Sequence, residues 1–301
     1  METTYNNCNI CPRKCGVDRT TSVGICRSGA KPMISRISRH MYEEPAICGK
    51  RGAGTVFFSG CNLGCVFCQN SAISRKSVGK EFDEQELAEL FLTVAESGVE
   101  CLDLVTPTHF TPTVAAALAR VKDKLTIPVV WNSGGYESVE SLALLRGLVD
   151  IYLPDFKYYS SELAREYSHA ADYRERAEEA LLFMYDMLGA PKFDNNGMMK
   201  KGIIVRHLVL PGHRNDSIAC LRRLSEILPA KDIRLSLMSQ YTPDFYRGDD
   251  KNLLRRLTTF EYESVLKEAT LLRFDGYMQS PSSASAKYTP DFSDAFSVDL
   301  T

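Results

Sequence analysis

Seven of the ten cysteines in this 301-residue chain stand in two short groups, Cys8, Cys11, Cys15 and Cys26, then Cys61, Cys65 and Cys68. Cys48, Cys101 and Cys220 are scattered. No basic stretch followed by an apolar run opens the chain, so a disulfide framework of the secreted kind is not expected, and metal or redox chemistry is. The second group is a C-x3-C-x2-C loop in the run Cys61-Asn62-Leu63-Gly64-Cys65-Val66-Phe67-Cys68-Gln69-Asn70. A four-iron cube normally takes four thiolates. This loop supplies three, which leaves one iron with an open coordination site, as catalytic metals in general keep one position free of protein. The competing reading is a closed structural zinc site that adds Cys48, but the loop lacks the paired C-x2-C knuckles of zinc modules.

The first group, Cys8-x2-Cys11-x3-Cys15-x10-Cys26, offers four thiolates in a segment poor in core residues. Four cysteines suit structural zinc and equally suit a second, fully ligated iron-sulfur cluster, so a second metal is expected without its identity. Cys101 and Cys220 fall on a strand start and an amphipathic helix, where a small buried hydrophobe is the default.

The elements that must position the loop are readable. From about Thr55, short apolar runs at 55–59, 102–106, 128–131, 151–156, 203–210 and 233–238 alternate with longer stretches of helical periodicity. That is the pattern of repeated βα units around a parallel sheet, here six strands, with near-continuous apolar runs suited to a sheet covered on both sides. Asp83 and Glu86 form a capping box, Leu87, Leu90, Phe91, Val94 and Ala95 share one face, and Gly98 sits where the helix must end. Thr111-Pro112 reads as an N-cap followed by proline at the first helical position. Further helices are expected near 139–145, 173–188, 218–228 and 259–271. The expected architecture is α/β: a partial (β/α)6 barrel at 51–279, a Cys-rich N-terminal segment at 1–50 with little periodicity, and a polar C-terminal tail at 280–301 opened by the Ser- and Ala-rich stretch 280–287. The C-x3-C-x2-C loop then follows the first strand, at the end of the barrel where chemistry gathers.

The spacing of the three cysteines, the aromatic Phe67 before the last of them and their place after a first strand resemble the radical S-adenosylmethionine (SAM) superfamily. Further segments resemble the pyruvate formate-lyase activating enzyme group, nearest its PflX-like branch: Cys11-Pro12-Arg13-Lys14-Cys15-Gly16, then Val105-Thr106-Pro107-Thr108-His109, Asn132-Ser133-Gly134-Gly135-Tyr136, Leu153-Pro154-Asp155-Phe156-Lys157, the run VRHLVLPG from Val205, and Met238-Ser239-Gln240-Tyr241. The resemblance covers nearly the whole chain. It implies a radical SAM barrel, a [4Fe-4S] cluster on Cys61, Cys65 and Cys68, and SAM chelated to the open iron by its amino and carboxylate groups. Reductive cleavage of SAM would give a 5'-deoxyadenosyl radical that abstracts hydrogen. The resemblance further implies SAM contacts from Asp155 and Lys157, with Ser133, Gln240 and the packing of Phe67 beside them. Relatives often carry Gly-Gly-Glu after the second strand, whereas this chain has Thr106-Pro107-Thr108-His109-Phe110, so Thr106 and Thr108 are expected to take over those contacts. Arg206 and His109 are candidates for the substrate pocket, His109 standing open between an acid or base and a helix-capping neighbour. His213 reads as a loop residue.

Lys plus Arg (36) nearly balances Asp plus Glu (38), which argues against nucleic-acid and anionic-membrane partners, and no apolar stretch of about 20 residues is present. A cytoplasmic radical SAM oxidoreductase is therefore expected, fed by a low-potential electron donor such as flavodoxin or ferredoxin. Its substrate, whether protein, peptide or metabolite, stays open, and activation of a glycyl-radical enzyme is the familiar sub-case. The alternative from another class is a non-catalytic iron-sulfur redox sensor or electron carrier.

Overall fold

The structure is a computed structural model in which residues 4–279 and 290–301 are described. The stretch expected to open the polar tail at 280–287 lies outside the described residues. Eleven strands are seen among the described residues: β1 (Met33–His40), β2 (Ala53–Phe58), β3 (Lys80–Glu81), β4 (Leu102–Val105), β5 (Val129–Ser133), β6 (Ile151–Pro154), β7 (Lys192–Phe193), β8 (Met199–Leu208), β9 (Arg234–Met238), β10 (Gly276–Met278) and β11 (Ser297–Asp299). The helices are α1 (Pro45–Cys48), α2 (Ser71–Ser74), α3 (Glu84–Glu96), α4 (Thr111–Val121), α5 (Val139–Ala143), α6 (Ser161–Ser168), α7 (Tyr173–Leu188), α8 (Arg214–Ile227) and α9 (Thr259–Leu271).

The sheet runs β10-β9-β8-β6-β5-β4-β2-β1-β11, with β3 on β1 and β7 on β8. From β2 to β10 its neighbours pair in parallel, which makes seven parallel strands where six were expected. The addition is β10, three residues long and too short to show a period. The path has two ends, so the sheet is an open barrel. β2, β4, β5 and β6 are buried along their whole length, as strands covered on both faces must be.

The N-terminal segment holds a strand that its pattern conceals. In β1, Ile34 and Ile37 are both buried although they stand three residues apart, a spacing that simple alternation would send to opposite faces. The register against β2 shifts between Ile34 and Arg36, and that extra residue returns both isoleucines to the same side. β1 runs antiparallel to β2 and carries β11 in parallel on its other edge. The tail therefore ends in a strand of the sheet.

Helix ends follow local chemistry. The Asp83/Glu86 box closes in both directions at 2.8 and 2.9 Å, and Gly98 (φ +85°) follows the last turn of α3. Thr111 is not the N-cap of α4. A 3-10 turn at Thr108–Phe110 precedes the helix, Thr111 is already helical, and its hydroxyl donates back to the Thr108 carbonyl at 2.7 Å. Of three apolar bodies among the described residues, two account for most of the packing. The larger one joins the sheet to its outer helices, with Trp131, Phe91, Leu118 and Tyr167 among its buried residues. The smaller gathers Ala46, Ile47 and Cys48 of α1 with Ala53, Val130, Ile151 and Ile204. The smaller body involves the first residues of β2 and β6, so it packs at the end of the barrel away from the cysteine loop. Among the described residues no helix is long and apolar enough to cross a membrane.

Candidate functional site

The loop that follows β2 is fixed before any ligand is considered. Gly60 (φ +84°) turns the chain where a Cβ would meet Ser28 Oγ at 2.2 Å and the Cys26 carbonyl at 2.6 Å, so no other residue fits without displacing the N-terminal segment. The Cys61 amide donates to the Cys26 carbonyl at 3.2 Å, and Asn62 Nδ2 to the Tyr136 carbonyl at 2.7 Å. Arg75 Nη2 donates to the Cys65 carbonyl at 2.8 Å. Each thiol has its own donor: the Leu63 amide to Cys61 Sγ at 3.4 Å, Ser168 Oγ to Cys65 Sγ at 2.9 Å, and Ser74 Oγ to Cys68 Sγ at 3.4 Å. Burial, reinforced by the neighbouring Cys65, pushes the Cys61 thiol up to about 12 and raises Cys68 as well. Thiolates at these two positions therefore form only when a cation takes up their charge.

All three cysteines line one cleft, part of it open to solvent. Of the residues expected at the site from sequence, Phe67, Thr106, Ser133, Asp155, Lys157, Arg206 and Gln240 line this cleft with them. Thr106 follows β4 at φ +60°, a left-handed conformation that β-branched residues rarely adopt, held by the hydrogen bond its amide N–H donates to the Asn132 carbonyl at 2.8 Å. Lys157 Nζ lies 2.5 Å from Asp155 Oδ2, and Arg206 Nε lies 3.0 Å from Asp155 Oδ1. Burial would raise the Asp155 carboxyl, but the two cations hold it below the usual carboxylate range. Burial likewise works against the charge of Lys157, and Asp155 and the Cys65 thiol outweigh it.

Two expected site residues are not at the cleft. Thr108 Oγ1 donates to Glu137 Oε1 at 2.8 Å, behind β5, where Trp131 Nε1 donates to the same oxygen at 3.1 Å. His109 is fully buried with its Nε2 2.9 Å from the Ser59 carbonyl and its ring against Phe110. Burial and the guanidinium of Arg19 push its pKa down to about 3, so it is a neutral brace behind the loop and not a group facing the cleft. The 3-10 turn after Thr106 is what carries both side chains away.

The structure adds residues that sequence reasoning passed over. Glu43 and His40 line the cleft with Asn132. Arg206 Nη2 donates to Asn132 Oδ1 at 2.6 Å, Asn132 Nδ2 to Asp103 Oδ2 at 3.3 Å, and Arg206 Nη1 stands 3.8 Å from Glu43 Oε2. Burial raises Glu43, opposed by Arg206. The same burial, opposed by Arg206 and reinforced by Glu43, pushes Glu44 up to about 7. Asp103 is raised too, by burial and then by Glu43. The signal available in sequence was slight: a polar Asp103 within an apolar strand, and a Glu43-Glu44 pair before a proline.

The four N-terminal cysteines sit together beside the loop. Cys8, Cys11 and Cys26 are buried, and a Cβ on Gly24 would lie 3.3 Å from Cys26 Sγ and 3.5 Å from Cys15 Sγ. Arg19, 2% exposed, places Nη1 3.8 Å from Cys8 Sγ, spends its other donors on the carbonyls of Ser28, Gly29 and His109, and forms no ion pair with a carboxylate among the described residues. A buried guanidinium without a carboxylate suits a thiolate-rich, anionic centre. Among the described residues no group of three or more His, Cys, Asp or Glu side chains stands in single-ion geometry. The fit of the loop to an iron-sulfur cube rests on its donor set, three thiols each already receiving a hydrogen bond around one face of the cleft. The fit to SAM rests on the Asp155–Lys157 pair on the lining of the same cleft.

Residues 55–187 match the family model of the radical SAM superfamily. An uncharacterized protein of Methanocaldococcus jannaschii is 29% identical over 282 residues, covering 90% of this chain and 76% of that one. Among solved structures, a radical SAM methyltransferase from Sphaerobacter thermophilus superposes with a TM-score of 0.51 at 11% identity, over 75% of this chain and 65% of the methyltransferase chain. A methylornithine synthase superposes with a TM-score of 0.46 at 16% identity, over 82% of this chain and 71% of the synthase.

Proposed function

We propose, from the match of residues 55–187 to the radical SAM superfamily model, an enzyme that holds a [4Fe-4S] cluster on Cys61, Cys65 and Cys68, seats SAM at the iron they leave open, and abstracts hydrogen from its substrate. When bound, the cluster and SAM supply one-electron reductive cleavage of the sulfonium to a 5'-deoxyadenosyl radical. The observation that carries the reading is the meeting, in one cleft, of three hydrogen-bonded thiols with the buried Asp155–Lys157 pair.

The chain's own residues then bind, orient and exclude water. Asp155 accepts from ribose hydroxyls or the amino group of SAM, and Lys157 meets its carboxylate. Ser133 and Gln240 offer neutral polar contacts. In the absence of a carboxylate at the Gly-Gly-Glu position, the Thr106 hydroxyl and carbonyl accept the protons of the SAM amino group. Phe67, with Tyr167 and Tyr241 at 6.3 and 6.1 Å from its ring, shields the cysteine loop from water. Cys8, Cys11, Cys15 and Cys26 form a second metal site, zinc or iron-sulfur, with Arg19 as the buried counter-charge. A low-potential donor such as flavodoxin or ferredoxin supplies the electron. A non-catalytic carrier would have no use for a charged pair facing the cysteines, which disfavours that reading. Activation of a glycyl-radical enzyme is the narrower form of the proposal.

The test is anaerobic reconstitution, reduction, and measurement of 5'-deoxyadenosine. Wild type is expected to release it in the presence of SAM, and Cys61→Ala, Cys65→Ala and Cys68→Ala each to reduce release at least about a hundredfold. Release that survives in any of the three variants refutes the assignment. Iron, sulfide and zinc counted in the same samples identify the N-terminal metal, and a glycyl-radical protein added to the assay tests the activase role.

A further inference from the structure

The cleft has a second end whose chemistry differs from that of the cysteine loop. β1 is antiparallel to β2 and pairs His40 with Ala53, so the chain leaving β1 enters the barrel at the start of β2, some 17 Å of strand from the loop that follows Phe58. His40 and Glu43 line the cleft there, directly before the apolar body built on α1. From there a chain of polar contacts runs toward the strand ends: Glu43 to Arg206 of β8, Arg206 to Asn132 of β5 and to Asp155 just past β6, and Asn132 to Asp103 of β4.

Hydrogen bonding is unbalanced at this end. The carboxyl groups of Glu43, Glu44 and Asp103 gather about one cation, Arg206, and burial raises all three toward their neutral forms. Lys157 is committed to Asp155, and Arg206 is divided among Asp155, Asn132 and Glu43. Donors run out before acceptors do. Asp103 Oδ1 and Glu44 Oε2 have no hydrogen-bond partner, although Asp103 is fully buried and Glu44 only 8% exposed. Buried acceptors of this kind cost free energy until a donor reaches them.

Resting on the radical SAM reading above, we propose that this inner end is a cation-binding subsite for the substrate, in which Glu43, backed by Glu44 and Asp103, takes an ammonium or guanidinium group of the molecule to be oxidised. An ammonium brings three donors to acceptors that lack them, and its positive charge favours the ionised form of these buried carboxyls. An anionic substrate head would bring acceptors where donors are short and find Arg206 already engaged. A neutral apolar head would leave the acceptors unfilled. Phe57, Phe58, Leu208 and Met238, at the C-terminal ends of their strands, line the same cleft and suit the alkyl part of such a substrate. The substrate class is thus an aliphatic amine or guanidine, free or as a basic side chain of a peptide.

The test uses the full chain, loaded anaerobically with iron and SAM, and titrates it calorimetrically with n-butylammonium chloride, 1-butanol, sodium butyrate and magnesium chloride. Saturable binding of n-butylammonium with a Kd on the order of 1 mM is expected, with neither butanol nor butyrate binding measurably. In samples matched for iron, Glu43→Gln should weaken n-butylammonium at least about tenfold, as expected for one charge-assisted hydrogen bond. Glu44→Gln serves as the second variant and should weaken it less. An acetyl-lysinamide arm against free n-butylammonium distinguishes a peptide side chain from a free amine. No saturable ammonium binding up to about 50 mM, equal binding of butanol, unaltered affinity in Glu43→Gln, or complete displacement by magnesium each overturns the subsite. The two readings fail separately: 5'-deoxyadenosine release without ammonium binding removes the subsite alone, and ammonium binding without release removes the radical SAM reading alone.

Discussion

Ser168 donates to Cys65 Sγ at 2.9 Å while Tyr158 stands 2.7 Å from the same serine oxygen, so the sulfur is reached by a relay from the far side of the barrel wall. A hydrogen bond to a cluster sulfur favours the more negative, reduced state and so raises the reduction potential. Ser168→Ala is expected to shift the potential of the loop cluster to a more negative value in an electron paramagnetic resonance (EPR)-monitored redox titration, and a shift in the other direction would contradict the contact. Glu44 makes a prediction of opposite character, because its carboxyl is raised to about 7 by burial, against Arg206 and with Glu43, from an ordinary value near 4.5. The folded state then binds more protons than the unfolded state between those values, so stability conferred by the protonated form is complete below about 4.5 and is lost as pH rises through about 7. Glu44→Gln should remove that decline and raise stability at pH 8 by about 1–3 kcal/mol, read from urea unfolding at pH 5 and pH 8. At this scale the cysteines were legible because ligand spacing is written in the chain itself. Glu43 and Asp103 were not, because what joins them to Arg206 is the meeting of chain segments far apart in sequence. Thr108, and the cleft-facing reading of His109, were expected at the cleft, but one turn of 3-10 helix decides which way a side chain leaves a strand end.

The crossover elements were legible where a cap and a period coincide. α3 shows both, and Asp83→Ala should cost about 1 kcal/mol in urea unfolding by removing the acceptor for the Glu86 amide, while a loss below about 0.3 kcal/mol would mean that packing alone holds the helix. α7 and α9 begin and end where their apolar periods do, at Tyr173–Leu188 and Thr259–Leu271. Elements escaped for stated physical reasons. β1 hides its alternation behind a bulge, and β10 and β11, at three residues each, depend on neighbours far along the chain. α6 is capped by Ser160 but spans only Ser161–Ser168, too short for a period, and it carries the Ser168 that reaches Cys65. α4 starts one residue earlier than its Thr-Pro signal suggests because the preceding turn is already helical.

In the whole molecule, the open barrel brings seven separate chain segments to one cleft: the cysteine loop after β2, the ends of β4, β5 and β6, the tips of β8 and β9, and the Glu43 segment after β1. The residues after 290 return to the same region, since Pro290 lines the cleft, Phe292 packs on Phe57 at 5.4 Å, and β11 extends the sheet beyond β1. The parallel sheet and its order of crossovers could be read from alternating runs, whereas the closing contributions of β1 and β11 are long-range and leave no local period. What the arrangement achieves is to surround the cysteine loop with thiol donors, charged partners and apolar walls while leaving one side of the loop free for a ligand. Mössbauer spectroscopy of the protein loaded with ⁵⁷Fe, before and after SAM, asks this question directly. One of the four irons of the loop cluster is expected to change its isomer shift on SAM addition while the other three keep theirs. Four irons that stay alike with SAM present would mean that the chain itself occupies the fourth corner, and the account would be wrong.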